Sequence, residues 1–551
     1  MKKNLFLTGI LTTAFLFGCS DDVPDKGGVN GVTGDVGYVK VAINLPTVSG
    51  NSVKTNGNDI FDDGIEAEYK VNDIILAIFE GTDENDADFK EAQNLSGLLA
   101  MQSGDNNVTV KYKSDVLEIG KPGDNKNVYA LAIVNGSKLF SVDENKKLKF
   151  DGTDFSGDLS KLNAIAQNVD LSKIANLEGK NFLMTNAPIT NKPAGSSATA
   201  GREVTTLVKL KVYDTKAKAE ADWENVDKIY VERAVAKVTT SVKSTGNTLT
   251  ISAPGMAYDE ATVTFEGWKL NLTNMTYFPV RNVSEWSTWE GYNTGTDVNR
   301  FFGETANPYR VYWAIDPNYA NTVVQGTTDL NVITELPEGQ WNMMDKDEYS
   351  AENTTTAGQM KRARLTGVLL KAKFTLKDGT ENDNLFMLGT SSSIFKEDQL
   401  LTFLKATLGY DLQVKSGATA QTITTADKVK EVFEFKDATA MDDTKAGDIL
   451  KTCSDKIRFY KGGVMFYYTT VIKHFNSISE AGVTEYDENK HLGLYGVVRN
   501  NWYDIRINSV SGPGEPEIPE IPDEPVNKEH SFINAEINIL SWAKRTQDVN
   551  L

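Results

Sequence analysis

Apolar and polar positions alternate along this chain in short bursts. Residues 38–45 place Val39, Val41, Ile43 and Leu45 on one face, the period of two expected of a strand with one buried side. The same alternation returns near the far end, where Ile533, Ala535, Ile537 and Ile539 interleave with Asn534, Glu536 and Asn538. Between them the pattern predicts strands over 69–80, 107–113, 127–134, 207–213 and 228–242. A second round follows over 247–252, 261–272, 310–315, 365–376, 457–460, 464–471 and 497–510. Helical spacing appears over 159–169, with Asp158 as candidate N-cap, and over 396–404, carrying Leu400, Leu401 and Leu404. Strands dominate and helices are few and short. That favours an all-β chain of two tandem β-sandwiches over an α/β sheet, which needs a helix between most strands. The boundary is expected near 243, giving domains over 55–243 and 244–511.

Two stretches break the pattern. Residues 46–64 are polar and rich in Gly, Asn, Ser and Asp, the composition of an exposed, protease-accessible loop. They tie the first strand only loosely to the body. Residues 512–525 are rich in Pro and Glu and are expected not to pack, so 512–530 reads as a linker leading to a terminal strand over 531–551. A strand beyond a linker needs a sheet to join, its own or another molecule's.

Composition narrows the function. The 551 residues are 40% hydrophobic and 24% charged, a globular balance too long for one core. A net charge of −19 with no basic cluster argues against nucleic acid as a partner. Lys2 and Lys3 precede an apolar run over 5–17 that is too short to span a bilayer. The run ends in Leu16-Phe17-Gly18-Cys19, which resembles a bacterial lipobox and implies a signal peptide over 1–18 with lipid on Cys19. Ser20-Asp21-Asp22 resembles the surface-export signal of Bacteroidetes lipoproteins. Cys453 is the only other cysteine, so once Cys19 is acylated no intramolecular disulfide remains.

Catalytic chemistry is not evident. His474, His491 and His530 do not stand at metal-ligand spacing, and no nucleophile elbow, phosphate-cradling loop or zinc-helix motif occurs. Asp83, Asn85 and Asp88 lack the turn glycine and distal glutamate of a calcium loop, and Asp345 with Asp347 is no better. We expect no catalytic or metal residue and no cofactor. Trp268, Trp286, Trp289, Tyr292, Phe301, Phe302, Tyr309, Tyr312 and Trp313 form an aromatic concentration. It reads either as core packing or as a glycan platform on a monomeric lipoprotein.

Four stretches together carry a resemblance. Val231-Glu-Arg-Ala-Val-Ala-Lys-Val238 resembles the closing strand of the N-terminal domain in the fimbrillins of Bacteroidales type V pili. Tyr495-Gly-Val-Val-Arg-Asn-Asn-Trp-Tyr-Asp-Ile-Arg-Ile507 resembles their last C-terminal-domain strand, with Val498, Arg499, Asn500, Asn501 and Tyr503 at the typical positions. Lys461-Gly-Gly-Val-Met-Phe-Tyr-Tyr468 also fits. Ala535-Glu-Ile-Asn-Ile-Leu-Ser-Trp542 with Asp548-Val-Asn-Leu551 is most similar to the end of the shaft subunit of the minor fimbrium. The resemblance implies two transthyretin-like β-sandwich domains and export as an outer-membrane lipoprotein. It also implies proteolytic removal of a propeptide over 19–54 that contains the first strand. The emptied groove then takes a donor strand from the next subunit, here chiefly Phe532, Ile533, Ala535, Ile537, Ile539, Leu540 and Trp542. The implied partners are copies of the same chain, anchor and tip pilins, and host-cell or bacterial surface receptors, with roles in adhesion and biofilms. Family processing follows arginine, yet no arginine precedes Arg202. Lys54 is the one basic residue of the loop, so cleavage is expected at Lys54–Thr55. An anchor subunit that keeps its lipid and first strand is the alternative within the family. Folding of the terminal strand onto its own domain is the alternative for that segment.

Overall fold

A computed structural model of the protein describes residues 36–46, 60–61, 64–95, 99–102, 108–165, 167–194, 201–222, 225–292, 300–303, 309–320, 329–379, 382–391, 393–475, 478–480, 482–528, 536–541 and 543–549. The chain is all-β with short helices, as its alternation predicts. The first strand is interrupted at Lys40 into Val36–Val39 and Val41–Pro46. In the N-terminal domain one path of paired strands runs Asp88–Asn94, Ile74–Gly81, Asn127–Val134, Met184–Asn186, Asp227–Arg233, Val41–Pro46, Val108–Lys113 and Leu99–Gln102. Asp227–Arg233 pairs with the first strand through its leading residues and with Met184–Asn186 through its trailing ones, so it belongs to both halves of the sandwich. The core between them includes Ile74, Leu76, Ile78, Leu131, Ile133, Leu148, Ile229 and Val231. The helix expected over 159–169 is shorter, Leu159–Ala164, and Asp158 caps it by accepting from the Lys161 N–H at 2.9 Å. The strand expected from residue 69 starts at Ile74, because Glu66–Tyr69 forms a helical turn.

The strand expected over 228–242 is two strands, Asp227–Arg233 and Ala236–Val242. Ala234 and Val235 pack in the N-terminal core, whereas Ala236 and Val238 pack in the next. The chain therefore changes domain at 234–236, earlier than the boundary expected near 243. Apolar alternation runs through the junction, because both cores require it. In the C-terminal domain one sheet contains Asp347–Ser350, Ala236–Val242 and Trp502–Ile507. The facing sheet is Thr248–Thr250, Thr262–Asn271, Gly367–Thr375 and Val464–Val471. Val238, Phe265, Trp268, Leu370, Phe374, Tyr467, Tyr503 and Ile505 fill the space between. The strand expected over 497–510 shortens to Trp502–Ile507, since Asn500 takes a left-handed turn with φ 56°.

A third core was not foreseen. Between Gly367–Thr375 and Val464–Val471 the chain builds an α+β module with strands Leu385–Leu388, Ile394–Lys396, Gln421–Ile423 and Ile457–Tyr460. Its helices are Glu397–Leu408, Ala426–Val432 and Asp443–Thr452, packed around Phe386, Leu400, Leu404, Val429, Ile449, Cys453 and Phe459. The expected helix over 396–404 runs on to Leu408 and stops where Gly409 adopts φ 75°. The other two helices each fully bury only a pair of side chains, too few for their period to stand out. Among the described residues, no helix is long and apolar enough to cross a membrane.

Candidate functional site

The first strand sits inside the N-terminal sheet. Val41–Pro46 lies parallel to Asp227–Arg233 on one side and antiparallel to Val108–Lys113 on the other. Val39, Val41, Ile43 and Leu45 are fully buried together in the domain core. Ile43 pairs with Ile229 across one ladder and Tyr112 across the other. The opposite face is covered as well: Lys40, Ala42 and Asn44 are all buried. A strand paired on both edges and covered on both faces leaves a groove of its own shape when it is withdrawn, lined by apolar side chains and unpaired backbone groups.

Polar contacts hold the strand in register. The Val41 N–H donates to Ser114 Oγ at 3.0 Å, and the Ser114 N–H returns a bond to the Val41 carbonyl at 3.0 Å. Lys40 Nζ donates to the Ala219 carbonyl at 2.8 Å and to the Asp222 carbonyl, at the end of the helix Lys216–Ala221. It also stands over the Tyr213 ring, 5.7 Å from its centroid. Burial lowers the Lys40 pKa, the Asp222 charge opposes this, and the neighbouring Lys113 charge lowers it further. Asp222 itself lies well below the ordinary carboxylate range, held there by Lys211 Nζ at 2.6 Å, by the Tyr213 hydroxyl at 2.8 Å and by Asn225. The amide of Asn44 is buried with neither of its atoms hydrogen-bonded among the described residues.

The Pro/Glu-rich stretch corrects an expectation. Residues 512–527 do not hang free but form a strap across the C-terminal domain. The Arg364 guanidinium grips Asp523 through two bonds of 2.8 Å, and Lys361 adds a third at 3.2 Å. Glu515 exchanges two backbone bonds of 2.8 Å with Phe466. Gly514 passes so near that strand that an added Cβ would stand 2.4 Å from the Phe466 carbonyl. Ile521 is buried against Leu272, Leu330, Ala363 and Tyr468, and Val526 against Met360, Leu365 and Tyr495. The side chains of Tyr460 and Tyr467 donate to the strap carbonyls of Gly514 and Gly512 at 3.0 and 3.1 Å. Prolines do not prevent packing when neighbouring groups take over the backbone bonds.

Beyond the strap, Glu536–Ser541 and Ala543–Val549 form an antiparallel hairpin, and Ala543–Val549 runs parallel to Trp502–Ile507. In the single chain, the terminal segment is therefore added to its own C-terminal sheet. Ile537, Ile539 and Leu540 lie on the first arm of that hairpin. Phe532, Ile533, Ala535 and Trp542, like Cys19, Lys54 and Thr55, fall outside the described residues.

Buried charges that the sequence analysis did not assign join the two domains. Lys237 bridges Glu68 at 2.9 Å and Asp347 at 3.0 Å, and the Tyr349 hydroxyl donates to Glu68 at 2.5 Å. Burial pushes the Glu68 carboxyl up, but Lys237 and Arg233 together leave it below its ordinary value. Arg233 donates to the Glu68 carbonyl at 2.7 Å and to Asn500 at 3.2 Å. Arg281 pairs with Glu232 at 2.7 Å, and Arg499 pairs with Glu352 at 2.8 Å. Charged residues set within apolar strands, as in 231–238, were the available signal.

The aromatic concentration is mainly core. Trp268, Trp289, Phe301, Phe302 and Trp313 are buried, with Trp286 and Tyr292 packed partly against them. No group of His, Cys, Asp and Glu among the described residues is arranged to hold a metal ion.

Residues 458–548 match a family model described as major fimbrial subunit protein type IV, fimbrillin, C-terminal. No curated protein matches the chain. Among solved structures it is similar to a fimbrilin, FimA, from Porphyromonas gingivalis W83, at 12% identity over 94% of this chain and 100% of that one, TM-score 0.38. It is also similar to the tip fimbrial protein Mfa3 of the same species, at 10% identity over 92% and 100%, TM-score 0.32. A cell adhesion protein from Parabacteroides distasonis aligns at 12% identity over 92% and 97%, TM-score 0.35. The family match is confined to residues 458–548, the C-terminal strands and the segment beyond them.

Proposed function

Starting from a chain whose residues 458–548 match a fimbrillin family model, we propose that it is a fimbrial shaft subunit polymerised by strand exchange. It is exported as a lipoprotein on Cys19 and processed at Lys54–Thr55. Loss of the propeptide withdraws the first strand, and residues 531–551 of a second copy fill the groove. The observation that carries this reading is the placement of Val41–Pro46. Its residues Val41 to Leu45 are buried and it is paired on both edges, and the chain leaves it into the polar stretch that contains Lys54. While present, it occupies the groove at very high effective concentration and keeps the precursor a monomer. Once it is gone, burying Ile533, Ile537 and Ile539 at about 1.5–3 kcal/mol each favours association strongly, before ordering costs.

The hairpin on Trp502–Ile507 is the arrangement that folding of the terminal strand onto its own domain requires, and on the strand-exchange reading it is the resting place of that segment before processing. Anchor and tip pilins and surface receptors complete the proposed set of partners, and adhesion with biofilm formation is the proposed role. Burial of the aromatic rings weighs against the glycan-binding monomer. The test is controlled proteolysis of the full-length precursor, followed by electron microscopy and N-terminal sequencing. Filaments whose chains begin at or near Thr55 are expected; filaments whose chains still begin at Cys19 would overturn the proposal.

A further inference from the structure

The first strand and the terminal strand are similar to each other residue by residue. Residues 38–45 read Tyr-Val-Lys-Val-Ala-Ile-Asn-Leu and residues 532–539 read Phe-Ile-Asn-Ala-Glu-Ile-Asn-Ile. An aromatic opens each. Val39, Val41, Ile43 and Leu45 correspond to Ile533, Ala535, Ile537 and Ile539, and Asn44 corresponds to Asn538. Resting on the strand-exchange reading above, we propose that the terminal strand of a second copy enters the groove in the same direction and register as the strand it replaces. Phe532 then stands at the place of Tyr38 and Ile539 at the place of Leu45, parallel to Asp227–Arg233.

The one substitution that looks unfavourable is the one the groove explains. Glu536 would take the place of Ala42, which is completely buried. Ala42 pairs with Lys228 across the parallel ladder and with Lys113 across the antiparallel one. Directly paired residues project from the same face of a sheet. A carboxylate at that position is therefore flanked on both sides by ammonium groups. The existing strand brings the opposite sign. Lys40 lies near enough to Lys113 for that charge to lower its pKa. Exchange replaces a strand of charge +1 over 38–45 by one of charge −1 over 532–539, within a groove edged by lysines. Asn44 is buried with its amide unsatisfied among the described residues, and an asparagine recurs there in the incoming strand. A polar residue kept at one buried place in two segments marks a subsite of the groove. The alignment thus sets direction and register, and the lysine pair favours the incoming strand over the resident one.

Cysteine pairs introduced into the full-length precursor, then processed and assembled under oxidising conditions, read the register directly. The expected intermolecular cross-links are Glu536→Cys with Lys228→Cys, Glu536→Cys with Lys113→Cys, and Asn538→Cys with Tyr230→Cys. Filaments in which Asn534→Cys instead links to Tyr230→Cys would show the reverse direction and overturn the proposal. So would filaments in which none of the expected pairs links. Absence of filaments from the processed wild-type chain would instead refute strand exchange itself, so the two failures are distinguishable. Independently, Glu536→Lys is expected to slow assembly by roughly three- to thirtyfold, with recovery when combined with Lys228→Glu. Unchanged assembly in Glu536→Lys would refute the charge assignment.

Discussion

Replacing Ile43 by alanine separates the precursor from the filament. Ile43 is completely buried between Ile229 and Tyr112. Truncating a buried isoleucine to alanine costs about 2–5 kcal/mol, the lost transfer energy plus the cavity left behind. Because the change lies in the first strand, that strand should also be displaced more readily, by roughly 30- to 4,000-fold at equilibrium if the whole cost falls on its docking. Urea unfolding of the intact precursor should show a lower midpoint with an unchanged slope. If processing removes the first strand as proposed, residue 43 leaves the subunit with it. Filaments grown from Ile43→Ala precursor should then match the wild type in the temperature at which detergent dissociates them. A variant whose filaments are weakened by a similar amount would refute the reasoning, since the first strand would then still be in place. An unaffected precursor would refute the packing on which it rests.

Three further outcomes follow from other contacts. Lys54→Gln should block processing at that bond, read by mass spectrometry of the N-terminus, while leaving unfolding unchanged. Lys237→Ala leaves the buried Glu68 with Arg233 but without its direct salt bridge, and should cost up to about 3–5 kcal/mol in chemical unfolding of the precursor. Asp523→Ala should release the strap, raising hydrogen exchange over 512–527, with a local cost of about 1.5–3 kcal/mol for its charged hydrogen bonds. The same contact sets a pH dependence. Arg364, then Lys361, hold the Asp523 carboxyl below its ordinary value against the effect of burial. Its contribution is complete above the unfolded value of about 3.9 and is lost as pH falls through the lowered folded value. Protection of the strap amides, taken relative to their intrinsic exchange rates, should therefore fall only below about pH 4 and be flat between 5 and 8.

The first strand was legible because its four apolar residues alternate without interruption and all end in one core. The two-domain all-β architecture was legible for the same reason. The junction at Ala234–Val235 was not, since alternation tells that a face is buried but not against which core. The strap was misread from composition: proline and glutamate suggested exposure, whereas Ile521, Val526 and Asp523 find partners far away in sequence. Of the helices in the module over 385–460 only the first was legible, from Leu400, Leu401 and Leu404, because Ala426–Val432 and Asp443–Thr452 each bury just two side chains. The lysines beside Ala42 belong to two strands more than a hundred residues apart, and only pairing brings them together.

Asp227–Arg233 and Ala236–Val242 are consecutive stretches of one backbone, with only Ala234 and Val235 between them. The first borders the groove, and the second lies parallel to Trp502–Ile507, the last strand before the strap. Tension along a fibre built through this groove would thus cross each subunit through two parallel ladders joined by the backbone bend at Ala234 and Val235. An incoming strand aligned like Val41–Pro46 would be pulled from its N-terminal end, and Asp227–Arg233 would be held from its C-terminal end. For parallel strands those are opposite ends, so the load falls in shear on all the ladder bonds at once instead of peeling them singly. Resistance to flow would then be governed by the length of that ladder, and shortening it by a few residues should weaken the fibre under force far more than at rest.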